Sequence, residues 1–496
     1  MNDYTYDFFE KIYKSKKSQI ISKDFITDLE TPISALLKLS PNEKYSFLLE
    51  SVEGGKQRGR YSLLGIKPDI IWECKKNQIN LIDLTNGEKK VKILNTSPFI
   101  SLRNLLNDSL IERDSSLPPY PILVGYFGYP MIRYMEKIKL SNIDTIKIPD
   151  SIFIRPKIVA VFDNLTDKIS LMTPVYYSKK INPKKAYKNA QNIIQLAINK
   201  LNSNLKKNIS FKKKSQSLNP KSNFTKKQYS EIIKKAKNYI KKGDIFQVVT
   251  SQRFVMDYEL SAITLYRSLR RLNPSPFLVN LNFKDIGLVA SSPEILVRLR
   301  NNKVTIRPIA GTRPRGSNAK EDQELSKDLL SDEKELAEHL MLLDLGRNDA
   351  GRISKIGSVK VTEKMIIEYY SHVMHIVSNV EGTIDKKYDA IDALIAGFPA
   401  GTVSGAPKIR AMEIIEELEN HNRSFYGGAM GYFDSNGQMD TCISLRTGLV
   451  KNNKLYVQAG GGIVCDSNQI KEYDETINKA KALIKAAEES YNLSDK

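Results

Sequence analysis

Cysteine and long apolar runs are scarce in this chain. Its 496 residues contain three cysteines, Cys74, Cys442 and Cys465, which are far apart and form neither a C-x-x-C motif nor the even-numbered set of a disulfide-built secreted protein. No apolar run reaches the roughly 18 residues that cross a bilayer, and the N-terminal segment MNDYTYDFFEKIYKSKK lacks the apolar core of a signal peptide. We therefore expect a cytoplasmic protein with reduced thiols.

Acidic residues are too few to balance the basic ones, and the net charge is +20 at pH 7. Such a charge would suit a nucleic-acid-binding protein, because neutralising phosphates releases counterions. That alternative predicts clustered Arg and Lys with interleaved aromatic side chains, whereas the basic residues here are mostly lysines dispersed along the chain. We expect no nucleic-acid and no membrane partner. Salt-sensitive binding to random DNA, without turnover of a small substrate, would support the alternative.

Turns, periodicity and composition divide the chain into three regions. Residues 20–170 show short alternating strands between Gly and Pro turns, residues 171–223 a helix and a Lys-rich linker, and residues 224–488 a second globular region. In the last region we predict strands at 277–283, 286–291, 295–300, 429–433, 442–450 and 454–459, and helices at 227–242, 332–345, 389–396, 407–418 and 472–487. Because the strands come in hairpin-like groups, the predicted class is α+β, with antiparallel sheets and helices outside.

Two pairs of glutamates have helical spacing. Glu335 and Glu338 are three residues apart in SDEKELAEHLMLLDLGRND, and Glu472 and Glu475 are spaced the same way in KEYDETINKAKALIKAAEES. Two facing helices could present these carboxylates to one hard cation, and oxygen ligands without Cys or His suit Mg²⁺, Mn²⁺ or Ca²⁺. The same spacing also occurs on solvated helix faces, where neighbouring lysines neutralise the acids. Spacing alone leaves both interpretations open.

Three glycine-rich segments could bring backbone N–H groups close to an anion. They are AGTRPRG at 310–316, GTVSGAPK at 401–408 and QAGGGIV at 458–464. None has the spacing of a P-loop, so a nucleotide site is not indicated. Taken singly, each segment is also typical of a tight turn.

Taken together and in this order, these segments resemble the chorismate-utilising enzyme family. The motifs that carry the resemblance are SSPE, RPIAGTRPRG, DEKELAEHLMLLDLGRND, VMHIVSNVEG, GTVSGAPKIRAM, YGGAMGYF, DTCISLRTGLV and QAGGGIV followed by EYDET. They span nearly all of the second region. The resemblance implies large antiparallel sheets packed as a sandwich with helices on the outside.

The resemblance also implies the site residues. Glu335, Glu338, Glu472 and Glu475 would line a Mg²⁺ site, with Glu338 and Glu475 as direct ligands. The residues expected to hold the carboxylates of chorismate are Gly311, Thr312, Tyr426, Arg446, Gly460, Gly461 and Gly462. An arginine suits this role because its guanidinium binds a carboxylate through two parallel hydrogen bonds.

The implied reaction is attack of ammonia at C2 of chorismate, loss of the C4 hydroxyl, and elimination of pyruvate to give anthranilate. By resemblance Glu294 is the general acid that protonates the hydroxyl, and His375 is the base that removes the C2 proton. A lone histidine in an apolar strand is otherwise typical of a core residue. Gln247, Thr402 and Lys479 complete the implied catalytic set, and Lys479 would add positive charge beside Glu475.

Two residues without a reactive group, Gln247 and Ala310, indicate which reaction of the family to expect. Members that add water carry a lysine at the position of Gln247, and an amide cannot serve as that base. Members that form aminodeoxychorismate carry PIKGT, whose lysine can bond to the ring, whereas this chain has Ala310 in PIAGT. Ammonia is therefore the expected nucleophile, and a 4-amino product would indicate the aminodeoxychorismate alternative.

The segment LLESVEGGKQRGRYSLLG resembles the feedback site of the anthranilate-forming members, in which tryptophan is the inhibitor. The implied inhibitor-binding residues are Glu50, Ser51, Asn273, Pro274, Pro276, Phe277, Leu278 and Cys442. A simple buried strand pair is the alternative. None of the cysteines lies in the sequence of a glutaminase nucleophile, so we expect the glutamine amidotransferase that supplies ammonia to be a separate subunit.

Overall fold

The computed structural model describes residues 5–26, 28–41, 43–53, 57–85, 87–111, 117–205, 216–370 and 373–493. The middle of the predicted linker, residues 206–215, lies outside the described residues. Within the described ranges, no helix is both long and apolar enough to cross a membrane.

The α-helices share a position on the outside of the sheets. They are α1 (Tyr6–Lys14), α2 (Pro32–Leu39), α3 (Pro98–Ser109), α4 (Pro183–Leu201), α5 (Lys226–Lys241), α6 (Ala262–Leu272), α7 (Ala319–Ser331), α8 (Glu333–Gly351), α9 (Ala390–Gly397), α10 (Lys408–Leu418) and α11 (Gln469–Ser490). Short 3₁₀ turns occupy Tyr129–Tyr134, Gly401–Val403 and Tyr491–Leu493.

The strands of the first half are β1 (Gln19–Ile26), β2 (Tyr45–Glu50), β3 (Val52–Glu53), β4 (Gln57–Arg58), β5 (Tyr61–Lys75), β6 (Gln78–Asp83), β7 (Lys90–Leu94), β8 (Pro121–Phe127), β9 (Ser151–Asp163) and β10 (Lys168–Val175). Those of the second half are β11 (Lys221–Ser222), β12 (Gln247–Asp257), β13 (Phe277–Phe283), β14 (Ile286–Ser292), β15 (Ile295–Arg300), β16 (Lys303–Ile306), β17 (Ile309–Pro314), β18 (Lys360–Tyr369), β19 (Val373–Thr383), β20 (Gly405–Ala406), β21 (Ala429–Asp434), β22 (Met439–Ile443), β23 (Thr447–Lys451) and β24 (Lys454–Ile463).

Hydrogen bonds connect 22 of these strands into one antiparallel network that folds into two layers. One layer runs β1–β10–β9–β5–β2–β13–β14–β23–β24–β12. The other runs β7–β6–β5–β9–β8–β21–β22–β15–β16–β19. The long strands β5 and β9 belong to both layers, and a register shift between Pro68 and Ile70 marks the bend.

Alternation along the strands produces two cores. Phe47 and Leu49 of β2 face the interior between the layers, while Leu48 between them faces a second core under the helices. That second core packs α1, α2, α4, α6 and α11 against the outer face of the first layer. This arrangement is the predicted α+β sandwich with helices outside, and the fold prediction is confirmed.

The two helices that carry the paired glutamates begin at defined caps. The Asp332 side chain accepts hydrogen bonds from the first-turn N–H groups of α8, and the Asn468 side chain does the same for α11. Arg313 holds Asp332 through a hydrogen bond of 2.9 Å from Nη2 to Oδ2. These caps fix where each helix starts and hence which turn carries each glutamate.

The strands predicted at 277–283 and 295–300 have their predicted bounds, but two other predictions were wrong. The predicted strand 442–450 is interrupted at Ser444–Arg446, where Arg446 has a left-handed conformation (φ 48°) that departs from extended geometry. The strand predicted at 454–459 extends to Ile463, so QAGGGIV is strand through Ile463 and not a turn at its glycines.

Strand pairs cross the boundary between the two predicted regions: β2 pairs with β13, and β8 pairs with β21. Residues of both halves lie together in the core between the layers. The division into regulatory and catalytic regions stays a prediction about function.

Candidate active site

The glycines of β24 lie beside the paired glutamates of α8 and α11. A Cβ atom added at Gly461 would be 3.4 Å from Glu472 Oε2 and 3.9 Å from Glu475 Oε1, and one added at Gly462 would be 3.6 Å from Glu338 Oε1. Acids from two helices therefore border the same strand. Since the glycines lack side chains, the carboxylates and the Gln247 amide approach the strand closely.

The glutamates influence one another electrostatically. Burial raises the pKa of Glu335, and the neighbouring Glu338 raises it further. Burial also raises the pKa of Glu472, with Glu475 adding to the effect. Among the residues that the structure describes, no group of three or more acidic, histidine or cysteine side chains is arranged to hold a metal ion. The four carboxylates are thus neighbours whose oxygens do not converge on one point.

Two of these carboxylates are held by other predicted site residues. Gln247 Nε2 donates a hydrogen bond of 2.9 Å to Glu338 Oε1, while the buried Gln247 Oε1 has no partner in the described part of the chain. Lys479 Nζ lies 2.7 Å from Glu475 Oε1 and also donates to the Gly460 carbonyl at 3.1 Å. The structure therefore brings Gln247 and Lys479 to the glutamate cluster.

Glu294 is buried at the end of the strand pair β13–β14 and has an unusual proton affinity. Burial raises the pKa of Glu294 to about 8, although Thr402, the Ile309 backbone and the Arg446 charge all act to lower it. Thr402 Oγ1 makes no hydrogen bond of normal geometry within the described residues. At neutral pH the Glu294 carboxyl is therefore mostly protonated and can donate its proton.

His375 lies in β19 opposite Thr312 of β17. Its Nδ1 lies 2.9 Å from the Gly311 carbonyl and 3.1 Å from Thr312 Oγ1. Because a carbonyl only accepts, Nδ1 carries the proton, and Nε2 keeps a lone pair. Burial lowers the pKa of His375 to about 4, and the charges of Arg446 and Lys479 lower it as well. At neutral pH His375 is an uncharged base.

A bulge in β17 gives His375 its acceptor. The pairing register between β17 and β19 shifts between Ala310 and Thr312, and Gly311 has a left-handed conformation (φ 69°). A Cβ at Gly311 would lie 3.1 Å from Ile376 and 3.2 Å from Glu335 Oε2. Glycine is thus required there by conformation and by space.

Arg446 faces both candidate proton-transfer residues. Its charge acts on the pKa values of Glu294 and of His375, and burial lowers the pKa of its own guanidinium. No hydrogen bond or ion pair from the guanidinium to another described residue is formed, and the residue has φ 48°. A largely buried guanidinium without a protein anion is a candidate carboxylate-binding group.

Tyr426 places its hydroxyl against β24. A Cβ at Gly460 would be 2.7 Å from Tyr426 Oη, so only glycine allows this approach. Burial raises the pKa of Tyr426 to about 12, against the lowering effects of Arg423 and the Gly460 backbone. The hydroxyl is therefore a neutral hydrogen-bond donor beside the glycine strand.

A separate cavity of about 140 Å³ opens where several residues of the predicted inhibitor site meet. Its lining consists of Glu50, Ser51, Val52, Arg58, Ser62, Arg270, Arg271 and Leu278. Glu50 accepts hydrogen bonds from Tyr266 Oη (2.6 Å) and Arg270 Nη2 (2.8 Å). The cavity thus combines a paired carboxylate, two further guanidinium groups and two serines.

The other predicted inhibitor-binding residues do not line this cavity. Asn273, Pro274 and Pro276 form the connection between α6 and β13, and Phe277 opens β13 opposite Ser292. Cys442 is buried in β22, where burial raises the pKa of its thiol to about 12. Of the eight residues predicted for this site, Glu50, Ser51 and Leu278 line the cavity.

The sequence analysis did not identify the residues that pack against Tyr426 and His375. The buried pair Arg423 and Glu419 lies beneath Tyr426, and Tyr370 packs edge-on against His375 with ring centroids 5.4 Å apart. Arg423 is three residues before the YGGAMGYF motif, and an arginine that close to a glycine-rich motif is the one signal that could have identified it.

The sequence is similar to a known family of enzymes and to individual proteins within it. Residues 53–485 match the sequence model of chorismate binding enzymes. The chain is 49% identical over 489 residues to anthranilate synthase component 1 of Cereibacter sphaeroides (98% of each chain), and 44% identical over 474 residues to that of Aquifex aeolicus (94% of each).

Two solved structures have the same fold. The crystal structure of anthranilate synthase component I from Streptococcus pneumoniae is 37% identical and superposes with a TM-score of 0.75, covering 93% of this chain and 99% of that one. The menaquinone-specific isochorismate synthase of Escherichia coli is 17% identical with a TM-score of 0.69, covering 97% of this chain and 98% of that one. At 17% identity the second likeness concerns the fold alone.

Proposed function

The chain belongs to the family of chorismate binding enzymes, and we propose a mechanism by which it acts on chorismate as the large subunit of an anthranilate synthase. The observation that carries the mechanism is the pairing of a protonated buried acid with a neutral buried base around one guanidinium. Glu294 has a pKa of about 8 and His375 one of about 4, and Arg446 acts on both. These proton affinities are reversed from the usual order of a carboxyl and an imidazole.

Glu294 is the general acid of the first step. Ammonia attacks C2 of the ring while the C4 hydroxyl departs, and a departing hydroxyl needs a proton. Glu294 holds one at neutral pH because its burial disfavours the carboxylate. After the step the Glu294 carboxylate is stabilised by the Arg446 charge, which limits the cost of the proton transfer.

His375 is the base of the second step. Nε2, the atom with a free lone pair, takes the C2 proton, the C–H electron pair becomes a ring double bond, and the C3–O bond breaks. The departing enolpyruvate becomes pyruvate when its methylene carbon takes a proton from solvent. The hydrogen bond from Nδ1 to the Gly311 carbonyl fixes this tautomer and the direction of the ring. That bond also stabilises the imidazolium that forms when Nε2 takes the proton.

Arg446 and Tyr426 bind the carboxylates of the substrate. The guanidinium of Arg446 lacks a protein anion in the described residues, and the Tyr426 hydroxyl lies at Gly460 in the glycine strand. Thr312 and Gly311 line the same side as His375. Ala310, next to the bulge, offers only a methyl group, which supports ammonia rather than a protein amine as the nucleophile.

The donor set suits Mg²⁺. Glu335 and Glu472 have pKa values raised partly by their acidic neighbours, so a cation would relieve repulsion within each pair. Glu338 and Glu475 would be direct ligands after leaving Gln247 and Lys479, the partners that hold them in this structure. The ion, when bound, would hold the ring carboxylate and draw electron density from the reacting carbon.

Ammonia is supplied by a separate glutamine amidotransferase subunit in this proposal. Burial raises the pKa of Cys74 to about 12 and that of Cys442 to about 12, so neither thiol is a nucleophile at neutral pH. Cys465 is exposed, and all three thiols are free.

Feedback inhibition by tryptophan is the proposed role of the cavity at Glu50. Its guanidinium groups suit the inhibitor's carboxylate, and Glu50 with Ser51 suits its ammonium group. The cavity connects to the acid by a short path: the Val52 N–H donates to the Ser275 carbonyl (3.1 Å), and Ser275 Oγ donates to the Ser292 carbonyl (2.7 Å). Ser292 is two residues from Glu294, so a shift in this segment would move the acid.

The test is conversion of chorismate by the purified chain with Mg²⁺ and ammonium salt, followed by anthranilate fluorescence and product chromatography. We expect anthranilate without added amidotransferase. Formation of isochorismate or of a 4-amino product would overturn the proposal. The Glu294→Gln variant, which cannot donate the proton, serves as the inactive control for non-enzymatic decay of chorismate.

A further inference from the structure

Arg423 and Glu419 form a buried ion pair directly behind the candidate active site. Their side chains are 1% and 3% exposed. Arg423 Nε donates to Glu419 Oε2 at 2.9 Å, and Arg423 Nη2 donates to Glu419 Oε1 at 2.6 Å. This geometry is bidentate, which fixes the plane of the guanidinium.

The remaining donors of Arg423 reach two segments that border the site. Nη1 donates to the Val403 carbonyl at 2.6 Å, and Nη2 donates to the Val249 carbonyl at 2.6 Å. Val403 follows Thr402, which acts on Glu294. Val249 lies in β12 opposite Gly462 of the glycine strand. One guanidinium therefore connects the segment that carries Thr402 with strand β12.

Arg423 also fixes Tyr426. The Tyr426 N–H donates to the Arg423 carbonyl at 3.1 Å, closing a turn in which Ser424 has φ 56°. The Arg423 Cζ atom lies 5.5 Å from the centre of the Tyr426 ring and 5.0 Å from that of Tyr129. Backbone and side chain thus set the ring that directs the Tyr426 hydroxyl to Gly460.

Glu419 extends the network to β12. Its Oε1 accepts hydrogen bonds from the Ser251 N–H and Oγ, both at 2.8 Å, and Ser251 pairs with Gly460 across the strands. The acid therefore holds the strand that lies behind the glycine against which the Tyr426 hydroxyl rests. Arg423 thus holds Tyr426, and Glu419 holds the strand behind Gly460, so the pair fixes both partners of the contact between Tyr426 and Gly460.

A buried ion pair is poor evidence for stability, because a well-packed apolar pair of the same volume is often as stable. We propose that the Arg423–Glu419 pair is a positioning element of the substrate site, which sets the Tyr426 hydroxyl for hydrogen bonding to a carboxylate of the substrate. The inference rests on the proposed function, in which Tyr426 binds chorismate. Arg423 and Glu419 themselves do not touch the substrate.

A double-mutant cycle tests the coupling. Arg423→Met with Glu419→Met removes the pair without leaving a single buried charge, and Tyr426→Phe removes the hydroxyl. We expect the paired change and Tyr426→Phe each to raise KM for chorismate by about ten- to hundredfold, the range for a hydrogen bond to a charged group, with a smaller change in kcat. In the Tyr426→Phe background the paired change should raise KM no further.

A second variant guards against misfolding, since the Val249 and Val403 carbonyls lose partners in the paired change. Arg423→Lys keeps the charge but lacks the planar fork, so we expect it to fold and to raise KM less than the paired change. As a matched control, Arg155→Met with Asp69→Leu removes another buried bidentate pair, one that does not contact Tyr426. It should leave KM unchanged.

The outcomes separate the two proposals. Direct calorimetric binding of chorismate to the wild-type chain, together with anthranilate formation, tests the proposed function, and absence of either overturns it and this inference with it. If both are present, additive effects of the paired change and Tyr426→Phe on KM overturn the positioning role alone. So would an unchanged KM in both the paired and the Arg423→Lys variants.

Discussion

The buried acid makes a prediction in which stability and activity change in opposite directions. Burial raises the pKa of Glu294 to about 8 in the folded chain, whereas in the unfolded chain the pKa keeps its ordinary value of about 4.5. Below both values the two states are protonated alike. Between them the unfolded chain ionises and the folded chain does not, so folding stability is lost as the pH rises, by about 1.4 kcal/mol for each tenfold fall in proton concentration. The loss amounts to about 3 kcal/mol at neutral pH and levels off above the folded pKa at about 5 kcal/mol.

Glu294→Gln removes this loss because an amide does not ionise. We expect the variant and the wild type to be similarly stable near pH 4, and the variant to be more stable by about 3 kcal/mol at neutral pH, measured by urea unfolding at several pH values. Its kcat for anthranilate formation should fall about a hundredfold to ten-thousandfold, the usual contribution of a general acid. Parallel stability curves for the two proteins would refute the raised pKa, and an unchanged kcat would remove Glu294 as the acid.

Glu73 supplies a matched control for this experiment. It is a half-buried glutamate in β5, and burial raises its pKa, with Lys89 and Lys284 opposing. Glu73→Gln should therefore gain stability with rising pH in the same direction but by less, and its kcat should match the wild type. Loss of activity in this control would show that any change of a buried acid disturbs the fold.

Three further predictions concern the base, the metal and the inhibitor. His375→Asn should abolish anthranilate formation, and the wild-type rate per free ammonia should not fall on acidification until pH values near 4, where His375 protonates; a decline near pH 6.5 would contradict its lowered pKa. Glu338→Gln should weaken Mg²⁺ binding in calorimetry by at least about tenfold, whereas Glu333→Gln, on the exposed face of the same helix, should not. Ser51→Arg should fill the cavity and remove tryptophan inhibition while anthranilate formation persists, and inhibition that survived would show that the ligand binds elsewhere.

Many strands could be predicted from the sequence, because alternation of apolar and polar residues along a strand is a local pattern. The strands 277–283 and 295–300 were predicted with their observed bounds for this reason. The break at Arg446 could not be predicted, since a left-handed arginine is stabilised by its surroundings and not by local preference. The extension of β24 through three glycines also contradicts local propensity, and its pairing with β12 explains it.

For the candidate site, too, sequence motifs named individual residues, whereas their protonation and partners depend on the folded structure. Motif resemblance named Glu294 and His375, but only their burial explains why the carboxyl holds a proton and the imidazole does not. Arg423 went unnoticed because its partners lie in β12, at the end of α10 and in the 3₁₀ turn, segments that no spacing rule connects. The contact between Lys479 and Glu475 lies within one helix and followed from spacing, whereas the hydrogen bond from Gln247 to Glu338 joins two segments that no spacing rule connects. The four metal ligands stay a prediction.

The glycines of β24 have a consequence for how the enzyme tolerates change. Gly460, Gly461 and Gly462 are absent from the residues with left-handed conformations, so each has a backbone that any residue could adopt. At Gly461 an added methyl group would meet Glu472, Glu475 and Thr476 at 3.4 Å or more, an ordinary contact. Gly461→Ala should therefore fold at least as well as the wild type while filling the gap between the acid-bearing helices. In the proposed mechanism the place of the missing side chain belongs to the metal and the substrate, so Gly461→Ala should lose anthranilate formation while the chain remains folded.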